Sequence, residues 1–398
     1  MPVPGATATS LRKSYDVVIA GAGVQGLALA YELAKRGVTN VAVLDQRYPG
    51  AGASGRNGEL IRSAFGSLEW CGLFNESLRR WEGLSEELDF NVLFSRSGYL
   101  VVATTQEQSD QCQRDVVKQA SYGVQSRYVN ADEALEIAPG LNRELVRGGV
   151  YQSSAGFAHH DAVVWAYARA AARLGVEIHA ATTITGIDVA SGGVTGVQTS
   201  RGHVATHVVV NAAGAQAGAL AAMAEVHLPT EQCRLEIIVT ESVAPFLRPA
   251  LALQELFGYC HQTARGEFVG GTENYAPDNT VSLNGTYEQL LDICAKFVRM
   301  IPSLAGVRLL RHWAGVVDQA ADMSPVLGPV PELTGFFLDC GWVYGFMGAP
   351  AAGALLAEAI IDGVLPPLVA PFTIDRLRGG RLIQESSLVT PPSRGTEG

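Results

Sequence analysis

The chain has 398 residues, 47% of them hydrophobic and only 17% charged, which is material for more than one core and excludes a disordered polymer. A formal net charge of −10 argues against a nucleic-acid partner, which would need clustered Lys and Arg. The six cysteines show no C-x-x-C spacing, so neither a metal site nor a disulfide framework is expected. The leader "MPVPGATATSLRKS" lacks an apolar run, and no stretch approaches the roughly 20 apolar residues of a membrane span, so a cytoplasmic protein is expected.

In chain order, Tyr15 to Ala20 is a short β-branched run, glycines follow, and Leu27 to Arg36 carries Ala and Leu at helical spacing until Gly37 stops it. Val41 to Leu44 is a second run ending at Asp45. This is a strand, a glycine turn, a helix and a strand, one βαβ unit. Gly50 to Phe65 reads as a loop leading into a helix around Leu68 to Leu88. From Gly98 to Tyr151, "GYLVVA" and "GGVYQ" flank a charged helical stretch and mark a first excursion into a second domain. A helix then starts near Ala162, followed by apolar runs "VEIHAATTITGIDV", "VTGVQTS" and "HVVVNAAG". A second β-rich excursion is expected from Leu228 to about Leu310, with "RLEIIVTES" and "GEFVGGTE" as strands and Tyr287 to Ile301 as a helix. The last segment, "GFFLDCGWVYGFMGAPAAGALLAEAIIDG", is a strand, a glycine loop and an Ala-rich helix.

Gly21, Gly23 and Gly26 spell G-x-G-x-x-G between the first strand and the first helix. The first permits a tight turn, the second lets backbone approach a pyrophosphate, and the third lets helix and strand pack closely. The helix N-terminus supplies free N–H groups and a positive dipole end. Asp45, 19 residues beyond Gly26, ends the next strand and is placed to accept a ribose hydroxyl. The glycines do not separate NAD from FAD. Two further strand-to-glycine crossings, "VVVNAAGAQAGAL" through Gly214 and Cys340 to Ala352, suit FAD, a long ligand threaded through a domain.

The segments "YDVVIAGAGVQGLA", "GASGRNGELIRS", "GFAHHDAVVWAYARAA", "HWAGVVDQAADMSPVLG" and "LDCGWVYGFMGAPAAG", in this order, resemble the amino-acid oxidase-like FAD family. Within it, the resemblance is to the β subunits of heterotetrameric sarcosine oxidases. The fold implied is α/β: a FAD-binding Rossmann-type, glutathione-reductase-like domain interleaved with a β-rich substrate domain. The expected division assigns 15–95, 156–227 and 311–385 to the first and 96–155 and 228–310 to the second, with tails at 1–14 and 386–398.

The resemblance implies non-covalent FAD held by Gly21, Ala22, Gly23, Val24, Gln25, Gly26, Asp45 and Gln46. Further FAD contacts are implied at Ala53, Ser54, Arg56, Asn57 and Gly58, at Ile184 through its backbone, and at Gly214, Val343, Gly345, Phe346 and Met347. Asp322 stands where monomeric relatives attach FAD through cysteine. His160 falls where heterotetrameric relatives carry covalent FMN at a subunit interface. Without the resemblance, Asp161 is simply a helix N-cap and His159 and His160 are surface residues. A larger α subunit is implied, with small γ and δ subunits as further partners.

On the substrate side, Arg62 matches the arginine that clamps the substrate carboxylate, a task suited to a guanidinium. Met347 stands where sarcosine oxidases place a second carboxylate ligand, a lysine, which shifts the expectation from sarcosine alone to proline-, hydroxyproline- or opine-like substrates. Tyr259, His261 and Tyr344 are further candidates. The expected reaction oxidises the C–N bond of a secondary or N-substituted amino acid to an imine, electrons passing from FAD to FMN and on to oxygen or another acceptor. The alternatives are a monomeric glycine or D-amino-acid oxidase, a nicotinamide-dependent dehydrogenase, and a non-catalytic flavin-binding partner.

Overall fold

The structure, a computed structural model, describes residues 10–253, 256, 258–272, 276–277 and 282–385. The expected tail at 386–398 and residues 1–9 of the N-terminal tail lie outside these.

Two large sheets organise the chain. The first has six strands in the order Val326–Pro329, Phe336–Cys340, Val209–Asn211, Val17–Ala20, Val41–Leu44 and Glu177–His179. All run parallel except Val326–Pro329. The apolar runs around Val17 and Val41 are buried on both faces, as a covered parallel sheet requires. Alternate side chains serve different cores. Val17, Ile19, Val41 and Val43 face helices, including Val24–Lys35, His160–Arg173 and Gly345–Asp362. Val18, Ala20, Ala42 and Leu44 pack with Ile184, Val194, Val197 and Val204 of a three-stranded sheet.

The run "VEIHAATTITGIDV" is therefore two strands in two sheets. Glu177–His179 extends the parallel sheet, and Ile184–Ala190 opens the three-stranded one. Ala181, with φ 49°, makes the break, and Thr182 N donates to Asp45 O at 2.8 Å.

The second sheet has nine strands and a core of its own, including Leu100, Ile238, Leu251, Phe268 and, from the Tyr287–Met300 helix, Phe297. Its longest pairing joins Thr230–Thr240 to Leu309–Ala320 in antiparallel register from Thr230↔Ala320 to Thr240↔Leu309. The return to the first sheet therefore falls beyond Ala320 rather than at 311. No proline interrupts this strand, and the first beyond it is Pro325, after Met323 in left-handed backbone.

The Gly345–Asp362 helix is apolar and 18 residues long, and it is a core element: 72% of it is buried. A Cβ on its Gly353 would lie 2.7 Å from the Ala28 carbonyl carbon, so small residues let this helix and Val24–Lys35 approach closely. The Leu68–Glu87 helix packs on its other side, capped by Ser67, whose side chain accepts from Trp70 N.

Candidate active site

The carboxyl ends of the parallel strands open into a cleft shared with the second sheet, the usual place for a ligand in an open α/β sheet. One side is made by Gly21, Gly23, Val24, Gln25, Asp45, Gln46, Gly214, Val343, Gly345, Phe346 and Met347. The loop carrying Ala53, Ser54, Arg56, Asn57 and Gly58 runs along it, and the wall further in includes Arg62, Tyr99, Tyr259 and Tyr344. The structure thus brings most of the expected site residues together.

At the glycine turn, Gly21 has φ 111° and donates its N–H to Leu44 O at 2.8 Å. A Cβ there would meet Ala212 O at 2.3 Å, so only glycine fits where the first and fourth segments of the sheet converge. A Cβ at Gly26 would lie 2.2 Å from Gly21 O, which locks helix against turn. Ala22 and Gly26 are backbone supports and do not line the cleft. Asp45 Oδ2 accepts from Ala22 N at 2.9 Å and Oδ1 from Arg47 N at 2.7 Å. Its carboxylate is therefore oriented by the chain before any hydroxyl reaches it.

Ser54 reaches across to accept from Val24 N at 2.9 Å, tying the loop to the first helix. Asn57 Nδ2 donates to Ser54 O at 2.6 Å, its Oδ1 accepts from Glu59 N at 2.7 Å, and Arg56 Nη1 donates to Ala51 O. These side chains shape the loop from inside. Gln25 Nε2 donates to Gly345 O at 2.7 Å, while its Oε1 is buried with no hydrogen-bond partner among the described residues. A cleft bounded by glycine backbone, an unpartnered buried amide oxygen and the N-terminus of the Gly345–Asp362 helix, which has no side-chain cap, fits a dinucleotide.

Arg62 is 3% exposed and faces the cleft. Its guanidinium carbon lies 4.0 Å from the Phe65 ring centroid, 5.4 Å from that of Tyr99 and 5.9 Å from that of Tyr344. Nη1 donates to Ala64 O at 2.8 Å. Burial among rings excludes water and strengthens an ionic contact with an incoming carboxylate. Met347 is 5% exposed and its carbonyl is fixed by Ser77 Oγ at 2.5 Å and Trp81 Nε1 at 3.0 Å, so its thioether meets the cleft on a rigid backbone.

Behind Arg62, the carboxylate of Glu385 accepts from Gly66 N at 2.6 Å, Ser67 N at 2.9 Å and Ser67 Oγ at 2.6 Å. Asp322 forms a two-point ion pair with Arg376, at 2.8 and 3.0 Å, and accepts from Ile383 N at 3.1 Å. This fastens the C-terminal segment.

Several expectations shift. Ile184 packs its side chain into the core and is not among the cleft residues; it begins the separate three-stranded sheet. His261 is fully buried behind the cleft wall rather than in it, stacked on Phe157 at 4.1 Å. Asp161 is not the N-cap, because the His160–Arg173 helix begins two residues earlier than such a cap would require, with His159 in the cap position. His160 lies outside the cleft, its Nδ1 2.6 Å from Glu59 Oε1.

Three acidic residues at the cleft escaped the sequence reading. Burial pushes Asp339 up to about 7 against a 2.8 Å hydrogen bond from Trp342 Nε1, and pushes Asp318 up to about 6 against the donation from Gly341 N. Burial also acts on Glu59, but His160 and His261 outweigh it and hold that carboxyl well below the usual carboxylate range. Asp339 had a visible signal: like Asp45, it is an acid at the carboxyl end of an apolar strand.

Comparison with known proteins agrees with this geometry. The family model described as FAD dependent oxidoreductase matches residues 16–359. Sarcosine oxidase subunit beta of Rhodobacter capsulatus is 34% identical over 383 residues, covering 94% of this chain and 91% of that protein. The subunit of the same description from Arthrobacter sp. is 36% identical, covering 94% of each. The crystal structure of L-proline dehydrogenase from P. horikoshii matches with a TM-score of 0.89 at 30% identity, covering 94% of this chain and all (100%) of that one. Glycine oxidase from Geobacillus kaustophilus matches with a TM-score of 0.84 at 25% identity, covering 91% and 99%.

Proposed function

Since this chain belongs to the FAD dependent oxidoreductase family, we propose that it is the catalytic β subunit of a heteromeric sarcosine oxidase-like enzyme, oxidising the C–N bond of a secondary or N-substituted amino acid to an imine. The observation that carries the reading is the buried guanidinium of Arg62 in its aromatic enclosure, on the same cleft as the Gly21 turn. A buried guanidinium that faces the cleft can take a carboxylate in two-point fashion, and an amino acid supplies one beside the carbon to be oxidised.

FAD, when bound without a covalent link, supplies the hydride acceptor. The chain's own residues do the rest. The glycine turn and the N–H groups of the Val24–Lys35 helix would receive the pyrophosphate, and Asp45 a ribose hydroxyl. The uncapped helix start at Gly345 to Met347 would favour negative charge at the cleft. Arg62 fixes the substrate carboxylate, and Tyr99, Tyr259 and Tyr344 exclude water around it. Met347 brings no charge, so Arg62 carries the anchoring with no lysine at that position. This favours substrates whose nitrogen is ring-bound or carries a larger substituent, with apolar surface to pack on Met347.

We extend the reading to a second flavin, FMN, held by His160 outside the cleft and covered by a larger α subunit, with small subunits completing the complex. The route for electrons is then from the cleft to His160's face and on to oxygen or another acceptor. Support comes from the likeness to subunits named beta, which implies partners, and from a histidine ring that is 17% exposed beside a buried acid. A cytoplasmic location follows from the same reading.

The test is a visible spectrum of the protein followed by anaerobic titration with sarcosine, proline, hydroxyproline, an opine and glycine. Bleaching of a flavin band by one of the N-substituted substrates supports the proposal. A colourless protein, or bleaching by glycine alone with full turnover in the absence of any partner, overturns it in favour of a stand-alone oxidase.

A further inference from the structure

Glu59 is placed at some cost. Its φ is 67°, left-handed backbone that a residue with a side chain enters at roughly 1–2 kcal/mol and that glycine or asparagine adopts readily. Its carboxylate is also taken out of water: the residue is 6% exposed. A residue that is both strained and buried with a charge persists because its surroundings use it.

The surroundings are two histidines from different parts of the chain. His160 Nδ1 lies 2.6 Å from Oε1, and the backbone N of His160 donates to the same oxygen at 3.2 Å. His261 Nε2 lies 3.3 Å from Oε2. His261 is immobilised by the Phe157 ring, and Phe157 belongs to the short strand that pairs with Leu60–Ile61 next to Glu59. Each carboxylate oxygen therefore has its own imidazole. Glu59 also borders the cleft, so it stands between the cleft and His160. Of the two nitrogens of His160, Nδ1 is fully buried and sits at ion-pair distance from Glu59 without hydrogen-bond geometry to it, while the side chain as a whole is 17% exposed. Nε2 lies on the other edge of the ring, 3.7 Å from Asp161 Oδ1.

We propose that Glu59 is the positioning residue for His160: its carboxylate takes Nδ1, fixes the ring, and leaves Nε2 as the nitrogen offered to a ligand outside the cleft, with His261 holding the other oxygen in place. An imidazole whose N–H is committed to a carboxylate presents the opposite nitrogen as a lone pair, so tautomer and orientation are set together. The functional consequence rests on the reading of His160 as the FMN site.

The experiment uses the full chain with the proteins that copurify with it, ¹⁵N-labelled at histidine, with His160→Asn identifying the His160 signals. In the native sequence prepared free of flavin, where neither ring nitrogen is bonded to a ligand, the proton is expected on Nδ1. In Glu59→Gly, which suits the left-handed backbone, the two tautomers should exchange, and flavin retained after acid precipitation of protein grown with riboflavin should fall at least tenfold. Glu59→Asp should recover part of both. Glu59→Asn, also tolerant of this φ, serves if the glycine variant does not fold. An unchanged His160 tautomer in Glu59→Gly and Glu59→Asn, or undiminished acid-stable flavin, overturns the assignment. If the native chain itself retains no flavin after acid, the FMN reading fails, and the nitrogen shifts alone decide for or against Glu59.

Discussion

The guanidinium carbon of Arg62 sits 4.0 Å from the centre of the Phe65 ring, three residues along the same loop. The loop thus builds both the charge and the wall behind it. A side chain so enclosed has little freedom to lose when a carboxylate arrives, and the geometry of its planar fork becomes decisive.

Arg62→Lys is therefore expected to weaken substrate binding although the charge is kept. Loss of a charge-assisted hydrogen bond is worth roughly 1.5–3 kcal/mol, or about 10- to 150-fold. Anaerobic stopped-flow reduction should show the loss in the substrate dissociation constant, with flavin content unchanged. Equal affinity in the two proteins would remove Arg62 from the site.

Met347→Lys tests the second anchor. Met347's carbonyl is pinned by Ser77 and Trp81, so the substitution changes the side chain on a fixed backbone. Affinity for sarcosine should rise about tenfold or more, the same charge-assisted bond gained instead of lost. If the affinity does not move, the side chain at 347 does not face the carboxylate.

Gly26→Ala separates packing from ligand contact, because its Cβ would collide with Gly21 O without entering the cleft. Overpacking here is expected to cost about 1–3 kcal/mol, read as a lowered melting temperature together with loss of the visible flavin band. A variant as stable and as yellow as the native protein would show that the turn relaxes.

Asp339 gives a pH dependence with a definite sign. Burial raises its carboxyl to about 7 in the folded protein, whereas an unfolded aspartate titrates near about 4. The folded state keeps its proton over that interval, so this residue's contribution to stability is fully present below about pH 4 and is lost as pH rises towards 7. Asp339→Asn, which still accepts from Trp342 Nε1, should match the native protein near pH 4 and exceed it by about 4 kcal/mol at pH 8. Denaturant melts at the two pH values measure the difference. The same difference at both would mean the residue does not titrate between them.

Much of this site was readable in the sequence because it is local. Strand, glycine turn, helix and terminal acid lie within Tyr15 to Asp45, and each piece dictates the next. Arg62 and the Ala53 to Gly58 loop came from likeness to relatives, since turn-forming residues alone do not announce a ligand. Glu59, Asp318 and Asp339 were not legible because what matters about them is convergence. His261 reaches Glu59 from a strand about two hundred positions away, and the pairing of Thr230–Thr240 with Leu309–Ala320 brings Asp318 to the cleft. Burial of an acid is a property of the assembled sheets. The boundary at 311 lies inside Leu309–Ala320 for a related reason: only its pairing with Thr230–Thr240 shows which sheet owns that strand.

The hold of Glu385 on Gly66 and Ser67 joins the last described residue of the chain to the loop that carries Arg62. Arg62 is therefore backed by a residue more than three hundred positions further along the chain, with Arg376 and Ile383 seated on Asp322 just ahead of it. Loosening the Asp322–Arg376 pair is thus felt at the opposite end of the sequence, where the Arg62 loop takes its shape.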